Sequence, residues 1–277
     1  MLEYLDYTFF RYALAGVILI AVSAAMIGTY IITRRLVAIC GGITHACFGG
    51  LGLGYFLGIS PVATAAVFAV GSSVAVEWMS TRLRMREDSV IAVIWSVGMA
   101  IGVLFVFMTP GYVPELNSFL FGNILTISLN DIEIFAAFTG LLILFFALFY
   151  NKIVACAFDR DFAAVMHLPV KFINYTMTVF VALCIVLTIR LVGVMLLMSM
   201  LSLPMMTAEV FSRRFLHMML LSTVISLLCS VAGLWLGTLI DVPCSAIIVI
   251  LMAVTFFVSR VVRQITVVSR RRAISRD

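Results

Sequence analysis

The chain has 277 residues, 64% of them hydrophobic and only 11% charged, with a formal net charge of +5 and a mean hydropathy of +1.21. A soluble domain is about half apolar and about a quarter charged, so this composition excludes one and describes an integral membrane protein. Apolar runs of about 20 residues, the length that crosses a ~30 Å hydrocarbon core, recur from end to end, and residues 1–277 read as a single transmembrane domain.

The N-terminal stretch MLEYLDYTFF is acidic and lacks the basic start and small-residue cleavage site of a signal peptide, so the first apolar run is expected to be retained. Helices are predicted over 9–33, 42–58, 61–81, 89–108, 131–150 and 172–190, a short one over 191–206, then 216–238 and 243–262. The fold expected is an all-α polytopic bundle of eight to nine transmembrane helices. A β-barrel is excluded because runs such as AAFTGLLILFFALFY (136–150) are apolar on every side instead of alternating.

Sixteen of the eighteen Lys and Arg fall into five groups: Arg34 and Arg35; Arg82, Arg84 and Arg86; Lys152, Arg160 and Lys171; Arg213 and Arg214; and Arg260 through Arg276. These groups mark the cytoplasmic side. Alternating the helices against them places the N-terminus outside and the C-terminus inside, which favours nine crossings. The basic tail, 263–277, is a positive-inside signal and not a nucleic-acid arm. Glu115, Asp131 and Glu133 fall at the outer mouth, where acidic groups raise the local concentration of cations.

Two connections are more than simple turns. Residues 109–130 combine Pro110, Gly111 and Pro114 with an apolar patch from Phe119 to Leu125, and predict a re-entrant or interfacial helix on the outer side. Residues 205–215 predict a short amphipathic cytoplasmic helix able to dock onto a partner. There Pro204 ends the preceding helix, Thr207 is its N-cap, and Glu209 lies four residues ahead of Arg213 on one face.

Chemical motifs are few. No phosphate-binding glycine loop, metalloprotease motif or serine-hydrolase elbow occurs, so any ATP that drives this protein is hydrolysed on another chain. The six cysteines are scattered through apolar segments without a C-x-x-C pair, which implies neither a disulfide framework nor a zinc site. The methionines of GVMLLMSMLSLPMM read as adaptable core filling, Glu77 as an interfacial charge, and His167 and His217 as solvated.

His45 remains, a lone imidazole in the segment GGITHACFGGLGLGYFLG (41–58). An ionisable group at membrane depth normally faces the bundle interior or an aqueous pathway. Gly41, Gly49 and Gly52 share its helical face and Gly42 lies beside Gly41, while Cys40, Thr44 and Cys47 lie close along the chain. Two readings stand. His45 is either a buried structural imidazole among packing glycines, or a neutral transient ligand for a divalent cation in a groove where glycine leaves volume. One histidine cannot complete a four-ligand site. A homodimer with His45 near its two-fold axis would supply two.

Four segments in order carry a resemblance over nearly the whole chain: RRLVAICGGITHACFGGLGLGYFLG (34–58), LNSFLFGNIL (116–125), FDRDFA (158–163) and RLVGVMLLMSMLSLPMMTAEVFSRRF (190–215). They resemble the permease subunits of ABC-type importers of divalent metals, the ABC-3 family. The matching features are Arg-Arg followed by Gly-Asp-x-x-x-His, a Leu-Phe-Gly segment, and Val-Gly followed by Pro-Ala-Ala-Thr-Ala. The resemblance implies alternating access for zinc or manganese, with iron next, and no permanently bound cofactor. It also implies a likeness in setting: the bacterial cytoplasmic (inner) membrane, a homodimer, a cytoplasmic ATP-binding subunit and an extracytoplasmic metal-binding protein.

On that resemblance His45, with Gly41, Thr44 and Cys47 near it, matches the metal pathway, and Gly42, Gly49 and Gly52 line or pack it. Glu115, Asn117 and Asp131 fall at the outer mouth, and Pro204, Thr207, Glu209, Arg213 and Arg214 in the segment that couples to the ATPase. The chain departs from the pattern at Gly41, where the family carries an aspartate, and at PMMTA. Two rival readings are a permease for iron chelates or cobalamin-like cargo, and a membrane scaffold with no pathway.

Overall fold

The computed structural model describes residues 6–110, 122, 124 and 127–274. Among them the chain forms nine helices: α1 (Thr8–Thr33), α2 (Val37–Leu57), α3 (Pro61–Arg82), α4 (Glu87–Met108), α5 (Leu129–Phe158), α6 (Arg160–Val165), α7 (Val170–Phe211), α8 (Phe215–Ile240) and α9 (Cys244–Ile274). All but α6 are long and apolar enough to cross a membrane. Without water in the hydrocarbon layer every backbone amide must bond within its own segment, so apolar sequence of this length has only the helix open to it.

Local chemistry sets several boundaries. Pro61 begins α3 behind Ser60, and a reciprocal Ser128–Asp131 capping box begins α5. The Asp159 carboxylate accepts from the Phe162 amide at 2.9 Å to start α6. Gly58, with φ 66°, ends α2 in the left-handed conformation.

Helix α7 is two arms, not one rod. A straight helix of its 42 residues would run about 63 Å, twice the hydrocarbon thickness. At Gly193 the backbone takes φ 80° and ψ 171°, a region open essentially only to glycine. Arg190, just before the break, pairs with Asp131 at the start of α5. Beyond it, Met206 and Glu209 share a cavity with Arg34 and Phe158 at the opposite end of the bundle. Near the first arm's start, Asn174 accepts from the Tyr30 hydroxyl. Both ends of α7 therefore lie at one end of the bundle and the break at the other, so among the described residues the long helices run through the bundle nine times. The sequence reading set the break at residue 190 and ended a helix at Pro204. Helical hydrogen bonding instead runs through Pro204 to Phe211.

Helices α1, α2 and α7 form the centre, with 72%, 78% and 72% of their most apolar stretch buried, against 22–33% for the other long helices. Polar groups tie α1 to its neighbours at close range: Ser23 Oγ lies 2.9 Å from Thr139 Oγ1 of α5, and Thr29 Oγ1 lies 2.7 Å from Met205 Sδ of α7.

Candidate functional site

The site is built on α2. His45 lies eight residues from its start at Val37, about 12 Å into the bundle at the usual helical rise. Its ring is half-buried, and its Nδ1 is buried without a hydrogen-bond partner among the described residues. Two aromatic rings stack on the imidazole. The Trp95 indole of α4 stacks on it at 4.4 Å and 8°, and Phe48 of its own helix at 5.9 Å and 20°. Thr44 and Cys47 are fully buried around the helix from it, the former with an unpartnered hydroxyl.

The glycines divide by what they touch. A Cβ on Gly42 would strike Ile91, and one on Gly49 would lie 2.7 Å from Phe68 and 3.0 Å from the Gly98 carbonyl oxygen. At Gly52 it would strike the backbone of Gly102. Gly49 and Gly52 let α2 lie on α4 at backbone distance, as Gly50 and Gly54 do on α3, in the way small residues act where lipid supplies no hydrophobic drive. They leave no open groove on the His45 face. That face is closed by α4, because bare glycine backbones on the two helices fit each other.

Gly41 differs. A Cβ there would stand 3.3 Å from both Trp95 Cζ3 and Met198 Cε. One turn from His45, this position is covered by an indole and a thioether side chain, not by a helix backbone. From Met198 a partly accessible stripe descends the second arm of α7 through Ser202 and Met206 to exposed Glu209. It ends in a cavity of about 900 Å³ whose lining includes Arg34, Arg35, Glu87, Arg160, Met206 and Arg213.

A buried ion network borders that cavity. Glu77, 4% exposed, pairs with Arg34 at 3.6 Å and Arg160 at 3.0 Å, while Glu87 pairs with Arg34 at 3.1 Å and Arg160 at 3.9 Å. Arg34 also donates to Tyr30 Oη at 3.0 Å, and Arg160 to Thr81 Oγ1 at 2.9 Å. The sequence reading missed this, because Glu77 stands near Arg82 and reads as an interfacial charge. The usable signal was a carboxylate inside an 18-residue apolar window.

Other expected site residues fall as follows. Asp131 is not free to gather cations, since it pairs with Arg190 at 2.8 Å and caps α5. Glu115, Asn117 and most of the predicted re-entrant segment lie outside the described residues. Gly122 is described, and a Cβ on it would strike the backbone of Val192 and Gly193.

Thr207 is not an N-cap: it sits inside α7 and donates to the Leu203 carbonyl at 2.8 Å. Glu209 is exposed in the last turn of α7, whereas Arg213 and Arg214 lie exposed in the connection to α8 and off any shared helical face. The segment expected to form a separate docking helix is thus the end of one long helix, because Pro204 is accommodated within the packed bundle. All six cysteines are free and buried. Among the described residues no group of three His, Cys, Asp or Glu side chains is placed to hold a metal ion.

Three comparisons bear on this arrangement. The model described as the ABC 3 transport family matches residues 6–263. The chain is 34% identical, over 88% of its length and 85% of the relative's, to a "probable metal transport system membrane protein" of Chlamydia pneumoniae. It is 28% identical, over 93% and 89%, to the manganese transport system membrane protein MntC of Halalkalibacterium halodurans. Among solved structures, PsaBC from Streptococcus pneumoniae in complex with Fab superposes with a TM-score of 0.80 at 27% identity, covering 94% of this chain and 95% of that one.

Proposed function

The chain belongs to the ABC 3 transport family, and on that premise we propose that it is the permease of an importer carrying a divalent transition metal, zinc or manganese, into the cytoplasm. The observation that carries this reading is the half-buried His45 with its unpartnered Nδ1, standing above the stripe from Met198 to Glu209 that ends in the cavity. A neutral imidazole binds such ions. One per copy, or two across a homodimer, holds them weakly enough for release. The names of the relatives, one a manganese and one a metal transport protein, support the choice of cargo.

The rest of the assembly follows from the same premise. By the positive-inside rule the end with Arg34, Arg35, Arg160 and Arg213 faces the cytoplasm, with the N-terminus outside, and the membrane of such an importer is the bacterial inner membrane. A separate ATP-binding subunit docks against the exposed segment from Glu209 to Arg214, and an external protein delivers the metal above Asp131 and Arg190. Closure of the ATPase then tilts α7 about its Gly193 break and exposes His45 alternately to the two sides.

The test is metal uptake into vesicles that hold the permease and its ATPase. His45→Ala is expected to lower zinc or manganese uptake by at least about tenfold, the lower end of what lost metal-site groups cost. Uptake that is unchanged in this variant overturns the reading.

A further inference from the structure

We propose that Trp95 is a specificity-determining residue, one that biases the His45 site toward zinc and against manganese. The inference rests on the reading of His45 as a transient ligand and adds to it what surrounds the ion. On a helix, two ligands four residues apart share one face, so a companion for His45 from its own helix would stand at residue 41 or 49, and Phe68 and the Gly98 backbone close over Gly49. Gly41 offers no side chain, and the space beside it is taken: a Cβ there would lie 3.3 Å from Trp95 Cζ3 and 3.3 Å from Met198 Cε.

The same indole lies parallel to the imidazole at 4.4 Å and 8°, which sets the plane in which its nitrogens lie. An ion at His45 therefore meets an imidazole of set plane, a π-face and an apolar thioether side chain where an oxygen ligand would otherwise stand. Manganese favours carboxylate, carbonyl and water oxygens, whereas zinc accepts imidazole readily. Trp95 is 41% exposed, so the indole is not locked into the packed core.

The experiment compares zinc and manganese uptake by the permease–ATPase complex in vesicles, as the ratio of the two rates, in four variants: Gly41→Asp, Trp95→Ala, the double variant, and Trp95→Phe. Gly41→Asp alone is expected to leave the ratio near that of the parent, because Trp95 and Met198 crowd the new side chain. The double variant, in which the space is cleared, is expected to shift the ratio toward manganese by about tenfold or more. Trp95→Phe, which keeps a ring against His45, is expected to retain the zinc preference.

A second readout does not depend on transport. With Trp78→Phe and Trp235→Phe in place, Trp95 is the sole tryptophan of the chain, and Zn²⁺ added to the detergent-solubilised permease without its ATPase is expected to change its emission. That change is lost in His45→Gln. A manganese gain in Gly41→Asp alone, a ratio unchanged in the double variant, or an emission blind to zinc while His45→Ala abolishes uptake each overturns the role of Trp95 and leaves His45 standing. Unchanged uptake in His45→Ala instead overturns the underlying reading.

Discussion

Glu77 is a buried carboxylate in a helix rich in alanine, valine and serine, and two guanidiniums from distant parts of the chain share it. Removing one member of a buried ion pair leaves the others desolvated without a countercharge, a loss of about 3 kcal/mol. Glu77→Gln should therefore lower the unfolding temperature of the purified protein clearly, whereas Glu133→Gln should leave it unchanged. Equal shifts would remove the network from the account of stability. Nothing in the spacing along the chain joins Glu77 to Arg34 or Arg160, since such pairs are made by helices that meet only when folded. His45, in contrast, stood out in the sequence because a lone imidazole among glycines has a cost wherever the helix packs.

At the scale of the element, α2 and α7 show glycine in two uses. The glycines of α2 are in regular helix, where each costs about 1 kcal/mol against alanine, and the return comes from backbone-to-backbone contact with α4. Gly193 is instead a position no L-residue occupies easily, at a cost of order 1–3 kcal/mol. Gly193→Ala should thus destabilise the protein in a thermal shift measurement. Gly140→Ala, where a Cβ meets nothing within 4 Å, should be neutral or stabilising by up to about 1 kcal/mol. Equal losses at the two sites would place the bend of α7 elsewhere. The apolar run alone does not separate these roles, because both glycines interrupt equally hydrophobic sequence.

For the whole molecule, the nine-pass arrangement has a direct consequence. His167 precedes α7, Arg213 follows it and Asp241 ends α8, and all three are exposed. Single cysteines at these positions, in a chain freed of its own six, should be sorted by a membrane-impermeant maleimide. His167→Cys and Arg213→Cys are expected to label from the cytoplasmic side only, and Asp241→Cys from the outside only. Labelling of residues 167 and 213 from opposite sides would show that α7 crosses once and would reverse the orientation of everything after it.

The membrane environment, the helical class and the extent of nearly every span were readable from the sequence. Hydropathy is local and additive, and a run of about 20 apolar residues has one backbone solution in lipid. The grouping of arginines likewise brought Arg34, Arg35, Arg160 and Arg213 to one end, where they surround a single cavity. Which faces meet was another matter. A helix apolar on all sides carries no pattern that names its neighbour, so only packing decided that α4 closes the glycine face of α2 and that Pro204 stays within a helix. Packing also set Trp95 between Gly41 and His45. Fit between backbones and side chains makes those choices at distances of a few ångströms, and it depends on residues far apart in the chain.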